Sequence, residues 1–375
     1  MRLKIGRWVW LTAMMWCVTG CASGSVDVVE GGDQELLREM TRFEVEDEDL
    51  QYEAGDTTVY ATLTRPKGEE DVPAIVLVAG SGPTDRDWNN PLLPGDNGTA
   101  IELSERLARA GIAVLRYDKR GTGHTVLPGP ISWDDYLEEL QAAVEVLRAD
   151  ESTDENRIFV AGHSEGGAHV LRATVDEWID VDGVILLATA GRQMDQLVID
   201  QVSEQLQGAG LNEAAVQTEL TSLRRAMDAI AAGDTIEAER VSDIPGLVSL
   251  VETLQTDDAR QFASALLPWD PARAIAEVAS PILIINGMKD TQVDAEHDAR
   301  RLHDAAQAAN RDVQLALIQD ADHVLKHQST PRDQLGAQHS LVYNDPTRSL
   351  DEGVIEVLAR WIYEFEPPVT DSAEQ

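Results

Sequence analysis

Gly162-His163-Ser164-Glu165-Gly166 sets a serine between glycines two residues to either side. It follows the apolar run Ile158-Phe159-Val160-Ala161 and precedes a helical stretch that includes Gly167, Ala168, Val170 and Leu171. A strand that turns this sharply into a helix holds the serine in a strained backbone conformation, and glycine at 162 and 166 removes the Cβ clashes. Ser164 Oγ then stands exposed above the sheet. A helix beginning at Glu165 adds a backbone N–H and a positive dipole end where an oxyanion would form. The chemistry that suits this arrangement is attack of a hydroxyl on an acyl carbonyl.

A serine hydroxyl is a poor nucleophile until an imidazole takes its proton, and the imidazole needs an acid to fix its tautomer. In a strand–turn–helix setting of this type the acid should follow a late strand and the histidine the last one. Ile282-Leu283-Ile284-Ile285 leads into Asn286-Gly287-Met288-Lys289-Asp290, so Asp290 is the expected acid, with Asp294 in reserve. The run Leu315 to Ile318 leads into Gln319-Asp320-Ala321-Asp322-His323, so His323 is the expected base and His327 its nearest rival. His323-x-x-x-His327 also has the i,i+4 spacing of metal ligands, but it lacks the glutamate of H-E-x-x-H and a third ligand. No metal or other cofactor is expected. His297 and His303 are expected on the exposed side of a helix. The second oxyanion donor should come from the loop after Ala79, Gly80-Ser81-Gly82-Pro83-Thr84-Asp85-Arg86-Asp87. The donors are assigned as the backbone N–H groups of Ser81 and Glu165.

These residues need a rigid frame, and the chain supplies short β-rich runs alternating with helices. Phe43–Glu46 and Thr57–Leu63 read as paired strands around a Gly55-Asp56 turn. Ala74–Ala79 is continuously apolar, as expected of a strand covered on both faces. Ile112–Leu115, Ile158–Ala161, Val184–Ala188, Ile282–Ile285 and Leu315–Ile318 repeat the pattern. Ser132–Leu147 opens with a Ser132-x-x-Asp135 cap and carries Trp133, Leu137, Leu140, Val144 and Leu147 on one face. The fold class is α/β, with a doubly wound, mostly parallel sheet. From about Gly191 to Val278 only helical periodicity appears, for example Leu220, Leu223, Met227 and Ile230 with Gly233 as a stop. This insertion reads as a helical cap over the C-terminal edge of the sheet, where ligands bind. The organisation is therefore a signal over residues 1–20, a tether over 21–40, core over 41–190, cap over 191–278, core again over 279–367, and a disordered tail over 368–375.

The chain carries 67 Asp+Glu against 30 Lys+Arg among 375 residues, a formal charge of −37, which repels nucleic acid and anionic membrane surfaces alike. That acidity suits a high-salt habitat as well as a merely acidic proteome. Arg2, Lys4 and Arg7 precede the mostly apolar run Trp8–Val18, and Val18-Thr19-Gly20-Cys21 follows. That order resembles a bacterial lipoprotein signal, which implies lipidation of Cys21, cleavage before it, and a protein held to the cell envelope by acyl chains. The processed chain then has no free cysteine for catalysis, so a covalent mechanism must use oxygen.

The Gly80–Asp87 loop, Tyr117-Asp118-Lys119-Arg120-Gly121-Thr122-Gly123, Gly162-His163-Ser164-Glu165-Gly166-Gly167, Asn286-Gly287-x-x-Asp290-x-Gln292-Val293 and Asp322-His323 resemble one branch of the α/β-hydrolases. That branch contains bacterial carboxylesterases and serine aminopeptidase-like hydrolases, and the likeness runs from about residue 50 to 365. It implies the triad Ser164, Asp290 and His323, the residues reached from spacing, with Asp118 and Arg120 bracing loops. Val324-Leu325-Lys326 replaces the Leu-Phe pair common after the histidine, a departure that bears on the acyl or leaving-group pocket, and Ala79 stands where many lipases carry histidine, which disfavours a lipase-type loop. The expected activity is carboxylesterase-type hydrolysis of a small acyl ester through an acyl-enzyme. An aminopeptidase or amidase would need a cap carboxylate such as Glu204, Glu213 or Glu219 for the substrate ammonium. A lipid-tethered binding protein without activity is the non-enzymatic alternative.

Overall fold

The computed structural model describes residues 25–32, 38, 41–336, 339 and 342–365. The signal over 1–20, Cys21 and the tail over 368–375 lie outside the described residues. No helix among the described residues is long and apolar enough to cross a membrane.

Nine strands form one sheet: β1 (Ser25–Val29), β2 (Val45–Ala54), β3 (Thr57–Pro66), β4 (Val72–Val78), β5 (Ala113–Tyr117), β6 (Thr153–His163), β7 (Gly183–Leu187), β8 (Ile282–Gly287) and β9 (Val313–Ile318). Their spatial order is β1-β9-β8-β7-β6-β4-β5-β3-β2. The pairs from β1 to β5 across the sheet are parallel, whereas β3 runs antiparallel to both β5 and β2. The expected fold class is the observed one.

Alternate residues of the central strands enter different cores, as the two-residue period of a strand requires. Val76 and Val78 join the core under α2 (Trp133–Ala149), α3 (Glu165–Val175) and α9 (Arg300–Ala308). Ile75 and Leu77 join the core under α1 (Thr99–Arg109) and α10 (Glu352–Glu364). The α2 start is the one expected, with a reciprocal capping box between Ser132 and Asp135.

Two elements differ from the sequence reading. The first strand of the hairpin is β2, extending to Ala54 rather than ending at Glu46. Its run Glu46-Asp47-Glu48-Asp49 hides it, since an edge strand with one open side tolerates charge and displays little apolar pattern. Within the expected tether, Ser25–Val29 instead forms β1, paired in parallel register from Ser25 opposite Gln314 to Val29 opposite Ile318. The pairing gives the backbone groups on this side of β9 hydrogen-bond partners, which is its physical reason.

Between β7 and β8 the chain forms α4 (Met194–Gly208), α5 (Glu213–Ala231), α6 (Pro245–Leu254), α7 (Arg260–Leu266) and α8 (Pro271–Ile275). Leu220, Leu223, Met227 and Ile230 are buried in a separate core with Val202, Leu206 and Val251. Arg192 anchors the entry to this segment through Asp298, which is fully buried and also accepts from the N–H groups of Gly191 and Arg192. Phe262 and Trp269 meet Trp133 edge-on, tying the insertion to α2.

The bracing residues are likewise inside. Asp118 accepts from the Arg86 and His124 amides and from the Arg86 guanidinium. Arg120 reaches Glu139 at 2.7 Å and Asp135 at 2.8 Å, with Glu139 fully buried. Burial pushes Glu139 up to about 7 even with Arg120 beside it. Arg120→Met leaves that carboxyl in the core without its cation and should cost about 3 kcal/mol of stability. Urea unfolding checks this, and an unchanged midpoint would refute it.

Candidate active site

Strand β6 ends at His163 and α3 begins at Glu165, so Ser164 alone makes the turn, with φ 54° and ψ −119°. Its N–H donates to the Leu187 carbonyl at 2.8 Å, and its carbonyl accepts from Gly167 at 3.1 Å. A Cβ on Gly162 would lie 2.4 Å from the Gly166 carbonyl oxygen, and one on Gly166 would lie 2.5 Å from the Val78 oxygen. Only glycine fits at either position. The turn rests against Gly80, where a Cβ would stand 3.3 Å from Ser164 Cβ and 3.1 Å from His163 Nδ1.

His323 follows β9 and is 5% exposed; its Nδ1 lies 2.8 Å from Asp290 Oδ2. Asp290 is held in turn, because its Oδ1 accepts from the amides of Gln292 at 2.7 Å and Val293 at 2.9 Å. A carboxylate can only accept, so Nδ1 carries the proton and Nε2 keeps a lone pair. Burial alone would push the His323 pKa down, but the charge and hydrogen bond of Asp290 outweigh it and hold the pKa above the ordinary 6.5.

His163 connects the two parts. Its Nε2–H donates to the His323 carbonyl at 2.8 Å, and the two rings lie 5.0 Å apart. Burial and then the charge of His323 push His163 down to about 3, so the ring is neutral where it stacks on Trp88 at 4.6 Å. Asp290 and His323 are thus direct partners. Ser164 is joined to them only through the bond of its neighbour His163 to the His323 backbone, and among the described residues no hydrogen bond links Ser164 Oγ to the His323 ring.

The reserve residues have other occupations. Asp294 caps the helical turn that starts at Ala295 by accepting from the amides of Glu296 and His297. His327 is exposed and bonds Asp351 at 3.0 Å. His297 is exposed, but His303, expected at the surface, is only 3% exposed because it lies on the inner face of α9. Among the described residues no group of three or more His, Cys, Asp or Glu is disposed to hold a metal ion.

Gly80 is buried and Ser81 exposed at the start of the expected donor loop. The Ser81 carbonyl accepts from Thr84 Oγ1 at 2.8 Å. Among the described residues, neither the Ser81 N–H nor the Glu165 N–H, the first of α3, donates to a protein acceptor. The departure after the histidine has a local role: Lys326 Nζ donates to the Asn97 carbonyl at 2.6 Å and Thr99 Oγ1 to the Val324 carbonyl at 3.2 Å. His163, Trp88 and Tyr343, whose ring lies 5.8 Å from His323, escaped the sequence reading. Only His163 carried a signal, its place beside Ser164.

Residues 75–338 match the model of the alpha/beta hydrolase family. The chain belongs to that family. Esterase EstD of Thermotoga maritima is 28% identical over 318 residues, covering 83% of this alpha/beta hydrolase and 68% of EstD. The quorum-quenching protein AidA of Acinetobacter baumannii is 30% identical over 131 residues, 34% of this chain and 40% of AidA. Proline iminopeptidase of Mycobacterium smegmatis superposes with a TM-score of 0.51 at 15% identity, covering 85% of this chain and 98% of its own. A hypothetical protein of Pseudomonas aeruginosa gives 0.51 at 18% identity, with 87% and 95% covered. These two structural likenesses speak to the fold.

Proposed function

We propose that this alpha/beta hydrolase is a serine hydrolase that cleaves carboxylic esters through an acyl-enzyme. The observation that carries the reading is the buried His323–Asp290 pair, hydrogen-bonded at 2.8 Å and tied by His163 to the strained turn at Ser164. Ser164 Oγ attacks the acyl carbonyl as its proton passes to His323 Nε2. The imidazolium is stabilised by Asp290, and the oxyanion is received by the N–H groups of Ser81 and Glu165. Collapse of the tetrahedral adduct breaks the ester C–O bond, and the leaving alkoxide takes the proton from Nε2. Water, deprotonated by the same nitrogen, then attacks the acyl-enzyme and releases the acid and free Ser164.

The resemblance to an esterase supports ester over amide substrates, and so does the setting of Glu204. Glu204 already has the cations Arg332 and Arg192 as neighbours, and Glu213 is exposed. A substrate ammonium would find Glu204 partly neutralised.

The test compares p-nitrophenyl acyl esters of graded length with aminoacyl-p-nitroanilides. Ester turnover at least 100-fold above anilide turnover is expected, a margin of about 2.7 kcal/mol in the barrier. Hydrolysis of the anilides alone would overturn the ester assignment.

A further inference from the structure

Lys119 lies just past β5 and is only 2% exposed, and its Nζ donates to the carbonyl oxygen of Gly80. The ammonium also sits 5.7 Å from the centroid of the Tyr136 ring. Among the described residues it has no carboxylate within 4 Å; Glu165 and Glu139 act on it only from farther away. Burial pushes the Lys119 amine down, opposed only by the distant Glu165 and Glu139. A lysine buried on a backbone carbonyl is therefore an expensive way to satisfy that carbonyl, which a smaller neutral donor or water could serve.

The position of the carbonyl supplies a reason. Gly80 packs so near the turn that a Cβ on it would stand 3.3 Å from Ser164 Cβ, and the peptide from Gly80 to Ser81 is trans, since the described chain has no cis peptide. In a trans peptide the N–H points opposite the C=O. Fixing the Gly80 oxygen on Lys119 therefore fixes the direction of the Ser81 N–H. A cation on the oxygen also draws electron density through the amide and makes that N–H a stronger donor, as in cooperative hydrogen-bond chains. The side chain of Glu165, whose backbone supplies the other proposed donor, lies in the field of the same ammonium and 3.6 Å from His169 Nε2.

We propose that Lys119 is a positioning residue of the oxyanion hole: through the Gly80 carbonyl it aims and polarises the Ser81 N–H that receives the developing oxyanion. This rests on the serine-hydrolase reading above. A donor that serves the transition state and not the bound ester changes kcat and leaves KM alone.

The experiment uses the full chain with Lys119→Met, Lys119→Gln and, as reference, Ser164→Ala. The readouts are kcat and KM on a p-nitrophenyl ester and the inhibition constant of a trifluoromethyl ketone, whose hemiketal oxyanion would occupy the same hole. Lys119→Met should lower kcat by about 10- to 100-fold, part of the 100- to 1000-fold typical for losing a whole donor. KM should stay close to wild type, and trifluoromethyl ketone affinity should fall by the same factor as kcat. Lys119→Gln keeps a donor for Gly80 without the charge and should fall between Met and wild type. Should the Met variant fail to fold, the Gln variant decides by the same comparison. Wild-type kcat in the folded variants, or a loss of kcat without loss of ketone affinity, overturns the role of Lys119 while Ser164→Ala remains inactive. Full activity in Ser164→Ala would instead overturn the serine-hydrolase reading itself.

Discussion

Ser164→Ala is expected to lower kcat by roughly 10⁴- to 10⁶-fold and to abolish labelling by a fluorophosphonate probe. The substitution removes one oxygen and little else. The turn is shaped by close backbone approaches at Gly162 and Gly166 and by the Ser164 N–H on Leu187, none of which involves the hydroxyl. Alanine at φ 54° meets the same backbone strain as serine, so the fold should be kept and the loss should appear in the chemical step. Any residual rate would come from substrate binding and the proposed oxyanion donors, which the substitution leaves in place. A variant that hydrolyses esters at more than about 1% of the wild-type rate, or still takes up the probe, would remove Ser164 from the mechanism.

What could be read from the sequence follows the range of the forces involved. The turn at Ser164 is local: its glycines, the strand before it and the helix after it lie within a dozen residues, so spacing alone defines it. The fully covered strands β4, β7, β8 and β9 announce themselves as unbroken apolar runs. Strand β2 does not, because its pairing comes from β3, with Asp49 and Asp47 taking hydrogen bonds from Thr62 and Thr64 across the hairpin. Strand β1 depends on β9, far along the chain. The sequence prefers Asp290 but keeps Asp294 in reserve for the same reason. Both follow β8 within a few residues, and only the placement of His323 from another loop separates an acid facing an imidazole from an acid capping a turn. Lys119 and His163 act through carbonyls 39 and 160 positions away, and no local pattern encodes such a contact.

Asp290→Asn should lower kcat by roughly 10⁴-fold, because an amide can present its NH₂ to His323 and stabilise the tautomer with the proton on the wrong nitrogen. Nothing else need move: the asparagine side chain keeps an oxygen for the amides of Gln292 and Val293, so the loop can hold its shape. Asp294→Asn offers the contrast, since asparagine caps a helical turn about as well as aspartate and the side chain does not touch His323. Its kcat should remain close to wild type, and the reverse ranking would exchange the two roles. The pH dependence carries a second, independent sign. On the proposed mechanism the base is neutral His323, so kcat/KM in the wild type should rise with pH through a pKa above 6.5 and level off beyond it. In Asp290→Asn the opposing charge is gone while burial still disfavours the imidazolium, so the rising limb of the residual activity should move to lower pH. A limb that stays in place while the rate collapses would mean that Asp290 orients the imidazole without setting its charge. The hydrogen bond would then matter for its direction more than for its field.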